Sequence, residues 1–146
     1  MSKNHEEVNV LDELSKGACM GRDAIHFIMD KVEDEKLKKE LDRQYREYKE
    51  ISEEINKIYP EYSEDEPHKT SAMNKMMTWY GIEMRTLLDK STSKIAELLL
   101  QGTNMGIIEG RKLLNQNPDA DEDIKNVLNK FIKIQENNVE KLKTFL

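Results

Sequence analysis

The chain has 146 residues, a formal net charge of −6, 36% charged and 37% hydrophobic residues, and a single cysteine. A chain of this length normally folds as one domain, and its acidic balance excludes a general nucleic-acid binder, which needs a basic surface to displace counterions from phosphate. Uninterrupted apolar runs such as Leu98-Leu99-Leu100 fall far short of the roughly 18 residues of a membrane span.

Met1 to Leu14 is punctuated by acids and has no apolar stretch of signal-peptide type. Cys19 has no partner for an intrachain disulfide, which fits a reducing cytoplasm. In chain order, Leu11, Leu14, Ala18, Gly21, Ile25, Ile28 and Val32 recur at alternating spacings of three and four, which predicts a bundle helix over about 8–32. Gly17, Ala18, Gly21 and Ala24 share or border one face of it. Each helical glycine costs about 1 kcal/mol in propensity, so the face is expected to admit another backbone or a bulky side chain.

Asp34 suits a helix start, and a second helix is predicted over about 35–59, with Leu37, Leu41, Gln44, Tyr48, Ile51, Ile55 and Ile58 inward. Pro60 and the acidic, aperiodic segment 61–70 form a connector. A shorter helix over about 71–88 presents Met73, Met76, Met77, Tyr80, Met84 and Leu87. Asp89 to Ser93 is rich in capping side chains and opens a helix over about 91–115 with seam Ile95, Leu98, Gly102, Met105, Glu109 and Leu113. The last helix, about 120–145, has Glu122 and Asp123 in its first turn and Lys141 and Lys143 near its end, both favourable to the helix dipole.

Leu11 to Ala24 lies over Ala96 to Glu109 at a constant offset of 85 residues, with Gly-x-x-Met-Gly in common. The chain thus reads as one helical hairpin written twice. Two tight hairpins joined by a long link that carries its own helix predict an all-α, ferritin-like four-helix bundle in a single domain, 1–146.

The runs Lys16-Gly17-Ala18-Cys19-Met20-Gly21, Asp89 to Glu97, Gln101 to Ile108 and Gln135-Glu136-Asn137-Asn138 resemble a group of uncharacterised Firmicute proteins with a ferritin-like four-helix layout. The resemblance covers nearly the whole chain. It implies the fold and a Trp-bearing short helix before the third bundle helix, and it implies no activity.

A ferritin-like di-iron site takes a Glu from each of two helices and Glu-x-x-His from each of the other two. Neither Glu-x-x-His is present, because His5, His26 and His68 do not stand three residues after a Glu. No cofactor is therefore expected. Glu109, Glu47 and Glu50 are the carboxylates from which an alternative metal-binding or redox protein would draw its ligands. Gln44, Tyr48, Glu109 and Gln135 fall on inner seams and are expected to form a polar layer that fixes helix register, since unpaired burial of such groups costs a few kcal/mol each. Met73, Met76, Met77, Trp79, Tyr80 and Met84 make an adaptable, polarisable surface suited to an interface. The expected role is non-enzymatic, structural or through protein contact, most simply as a homodimer or with a protein partner, and without nucleic acid or membrane.

Overall fold

A computed structural model describes the backbone of residues 2–64 and 71–146, and the side chains of 5–64 and 76–146. Five α-helices follow one another: α1 (Ser2–Ile28), α2 (Glu35–Ile58), α3 (Ser71–Arg85), α4 (Thr92–Gln116) and α5 (Glu122–Lys143). There is no strand among the described residues, and no helix among them is long and apolar enough to cross a membrane.

Local chemistry sets the ends of these helices. Asp34 is extended and its carboxylate accepts the Leu37 amide at 2.9 Å, so α2 starts three residues after the short 3-10 turn Met29–Lys31 that closes α1. Ser91 caps α4 in the same way through Lys94 N at 3.3 Å. Pro60 does not stop α2 abruptly but sits inside a 3-10 turn, Tyr59–Glu61, where its missing N–H removes no α-helical bond. At α5 the N-cap residue Asp121 has no capping bond of its own, because its carboxylate instead accepts the Tyr62 hydroxyl at 2.9 Å. One acid thus ties the beginning of the connector to the last hairpin.

α1 begins six residues earlier than the apolar periodicity suggests, and Glu7 and Val10 are buried. α3 ends at Arg85, three residues short of the expected Leu88, which is left almost fully exposed. The connector residues 65–70, expected to be solvated, lie outside the described residues.

The short turns make α1–α2 and α4–α5 antiparallel hairpins, and these are the most extensively packed pairs. α2 also packs on α5 and α1 on α4, closing a ring in the order α1, α2, α5, α4, while α3 lies outside it against α1 and α4. Leu11, Leu14, Ile28, Leu37, Leu41, Ile51, Ile55, Ile95, Ile124, Leu128 and Phe131 are fully enclosed. At roughly 1.5–3 kcal/mol per large apolar side chain removed from water, this interior is the main favourable term of the fold.

The small-residue faces do not bring α1 and α4 together glycine against glycine. Gly21, Gly102, Gly106 and Gly110 each make room for a large side chain from a different helix. A Cβ on Gly21 would lie 2.6 Å from Tyr48 Cζ, one on Gly106 2.0 Å from Gln135 Oε1, and one on Gly110 2.9 Å from Ile132 Cγ1. At Gly102 the intruder is Tyr80, from α3. Of the two reasons the sequence offers for these glycines, the bulky side chain accounts for these four.

Candidate functional site

Across the middle of the bundle the structure assembles a polar layer from four helices. Gln44 and Tyr48 enter from α2, Thr103 from α4, Gln135 and Asn138 from α5, and Tyr80 from α3, and all six are buried. Tyr48 lies edge-on to Phe131, with ring centroids 6.5 Å apart and planes at 62°. Burial pushes its phenol up to about 12, against the opposing influence of the neighbouring Asn138 and Thr103 side chains. Tyr80 donates to the Leu99 carbonyl at 3.4 Å, and Thr103 Oγ1 donates to the same carbonyl at 2.7 Å. Burial also drives the Tyr80 phenol upward, and the nearby Tyr48 adds to it.

Toward solvent the layer continues into an ionic network. Gln44 Nε2 donates to Glu40 Oε2 at 2.8 Å. Arg43 grips both oxygens of Glu40, through Nε at 3.0 Å and Nη2 at 2.6 Å, and holds Glu47 through Nη1 at 2.6 Å. Its Nη2 also reaches across to Asn138 Oδ1 on α5 at 3.2 Å. Burial alone would raise the Glu40 carboxyl, but bonds from Arg43 and Gln44 outweigh it and hold the group below its ordinary value. Two donors are left over: Gln135 Nε2 and Asn138 Nδ2 are buried without a hydrogen-bond partner. Each orphan costs on the order of 1–3 kcal/mol, so the layer specifies helix register more than it stabilises the fold.

Of the four residues expected in this layer, Gln44, Tyr48 and Gln135 are in it and Glu109 is not. Glu109 is 28% exposed and faces Lys112 at 3.8 Å on the outer flank of α4. The buried stripe of α4 passes through Leu99, Thr103, Gly106 and Gly110, one position away, because Gly106 and Gly110 let α5 side chains approach there. The carboxylate escapes to water instead of being buried unpaired. Thr103 and Asn138 take its place. The signal for them was weak: Thr103 follows a glycine that needs a deep neighbour, and Asn138 stands one turn after Gln135.

The carboxylates considered as metal ligands are not gathered. Glu47 is bound to Arg43, Glu50 is exposed and Glu109 is on the opposite hairpin. Among the described residues no group of three or more His, Cys, Asp or Glu is arranged to hold a metal ion.

The α3 face divides in two. Met76, Tyr80 and Met84 are buried against the bundle, and Trp79 is half-buried, edge-on to Tyr80 at 5.2 Å. Met77 points outward, and the side chain of Met73 lies outside the described residues. Between α1 and α3 the outward side opens into an apolar groove of about 220 Å³, lined by Met20, Ala24, Phe27, Met77 and Met84 with Asp23 and Arg85 at its edges. Phe27 is 47% and Met77 37% exposed.

No family model, no curated protein and no solved structure matches the chain.

The tyrosines give the layer a pH signature. Tyr48 and Tyr80 in the layer, and Tyr62 outside it against Asp121, all have phenols raised above the ordinary value of 10, each chiefly by burial. A raised phenol stays neutral in the folded chain while the unfolded chain ionises, so its contribution is complete below pH 10 and is lost as pH rises above it. The expected result is a tyrosinate absorbance titration in which part of the five-tyrosine signal appears only with cooperative alkaline unfolding. Smooth ionisation of all five near the ordinary value, with helicity intact, would contradict the enclosed layer.

Proposed function

We propose that the chain is a ferritin-like bundle of two pseudo-repeated hairpins that works through protein contact, as a homodimer, and has no di-iron centre. The reading is carried by the α1–α3 groove, where an aromatic ring and a thioether stand half-exposed beside an apolar cavity. The hairpin, crossover and hairpin order is consistent with the ferritin-like layout, and the middle of the bundle holds amides and phenols where a di-iron protein would place carboxylates and imidazoles.

A second copy suits the groove because its edges are self-complementary. Asp23 on α1, which also pairs with Arg22 at 3.4 Å, and Arg85 on α3 carry opposite charges, so a twofold axis that sets each Asp23 against the other copy's Arg85 would pair them. Phe27 and Met77 would then be covered by their own symmetry mates.

Light scattering is expected to give twice the single-chain mass of 17.1 kDa. Phe27→Asp combined with Met77→Asp is expected to return it to the single-chain mass without loss of helicity, since both side chains already reach solvent. A wild-type mass of one chain would remove the dimer. Stoichiometric iron or manganese in protein purified without chelator would remove the non-metal reading.

A further inference from the structure

The second half of the ionic network lines a different feature, an open groove of about 530 Å³ between the start of α2 and the end of α5. Lys36, Lys39, Arg43 and Arg46 approach from α2, Lys141 from α5, and Thr144 and Phe145 form a wall, with Glu40 as the one lining carboxylate. Five cations meet here on a chain whose formal net charge is −6.

Arg43 is committed to Glu40 and Glu47, and Arg46 to Asp42 at 2.6 Å. Lys36, Lys39 and Lys141 are exposed and make no ion pair among the described residues. Lys36 and Lys39 occupy the opening turns of α2, where the positive end of the dipole disfavours cations, and they repel each other at i and i+3. Lys141 brings a third like charge to the same groove from another helix. Such a concentration is relieved by an anion.

The remaining lining narrows the choice. The volume falls in the range of small-molecule sites, about 300–1,000 Å³, and Phe145 is half-buried, so its ring is held in place while remaining accessible. We propose that this groove binds a nucleoside polyphosphate, with the phosphates between Lys36, Lys39 and Lys141 and the base against Phe145. Arg43 positions the floor: Glu40 and Glu47 on its own helix hold the guanidinium in place, and its bond to Asn138 ties the start of α2 to α5 across the groove.

Calorimetric titration of the full chain with ATP and with inorganic tripolyphosphate tests this. ATP is expected to bind, more weakly as salt is raised. Lys39→Gln with Lys141→Gln is expected to weaken ATP about ten-fold or more through loss of two phosphate contacts, whereas Lys112→Gln with Lys133→Gln, an equal loss of charge outside the groove, leaves it unchanged. Phe145→Leu keeps the apolar packing and removes the ring, and is expected to weaken ATP about five-fold or more with little change for tripolyphosphate. Absence of binding, equal losses in the two double variants, or tripolyphosphate binding as tightly as ATP would each overturn the assignment. So would binding confined to anionic lipid vesicles. Thermal melts of each variant establish that it is folded.

Discussion

Gly102→Ala is expected to destabilise the protein by about 3 kcal/mol, although alanine is the better helix former by about 1 kcal/mol. The new methyl carbon would lie 1.7 Å from the Tyr80 hydroxyl oxygen and 1.9 Å from its Cζ, inside covalent-scale distances, so the ring has to leave. The open space beside it is the α1–α3 groove, which Tyr80 also lines, and turning into it abandons the packed position. Tyr80 is 8% exposed, braced by Trp79 at 5.2 Å and tied to the Leu99 carbonyl. Withdrawing it peels α3 from the α1–α4 surface and forfeits burial of an aromatic side chain and its neighbours Met76 and Met84, worth several kcal/mol. That loss exceeds the gain in propensity. In a Tyr80→Ala background the same substitution is expected to stabilise by up to about 1 kcal/mol, because the space it needs is already empty and the gain in helix propensity remains. A double-mutant cycle from urea denaturation measures the coupling, and additive effects would mean that Tyr80 does not occupy the Gly102 cleft.

That pair also shows where the sequence stops being informative. The helices themselves are legible because each carries its own evidence: a three-and-four apolar repeat, Asp34 and Ser91 as caps, and connections at α1–α2 and α4–α5 too short for anything but antiparallel packing. Gly102 is legible as a site of close approach. Its partner is not, since Tyr80 comes from the crossover helix, and where a crossover helix docks depends on the finished surface of α1 and α4.

The polar layer divides in the same way. Gln44, Tyr48 and Gln135 interrupt apolar seams and announce themselves. Glu109 sits on an equally plausible seam of α4, but a stripe that includes Gly102, Gly106 and Gly110 shifts toward α5 and leaves the carboxylate in water. A rotation of one residue position about the helix axis decides between core and surface, and periodicity alone does not resolve it. The basic groove was hidden for a related reason. Within α2 its lysines and arginines are interleaved with acids and read as a solvated face; only the arrival of Lys141 and Phe145 from the far end of the chain turns that face into a lined groove.

Phe131→Ala carries the larger cost, about 4 kcal/mol, a substantial part of the roughly 5–15 kcal/mol that holds a typical domain folded. The ring is 1% exposed at the centre of α5 and packs edge-on against Tyr48. It also lies within 3.9 Å of the position a Cβ would take on Gly110, so it fills the space between three helices. Removing it sums the lost transfer of a large apolar group with a cavity that the long, fully packed helices cannot collapse, and it removes an aromatic pair worth about 0.5–1.5 kcal/mol more. Phe131→Leu retains most of the volume and is expected to cost roughly a third as much. The two substitutions differ in a second observable. Phe131 walls off one side of the Tyr48 phenol, whose upward shift to about 12 comes chiefly from burial, so admitting water beside it in Phe131→Ala is expected to bring the Tyr48 titration back toward 10 while Phe131→Leu leaves it raised. A loss of stability below about 1 kcal/mol in Phe131→Ala, or a Tyr48 titration indifferent to it, would show that the ring and the polar layer are not one packed unit.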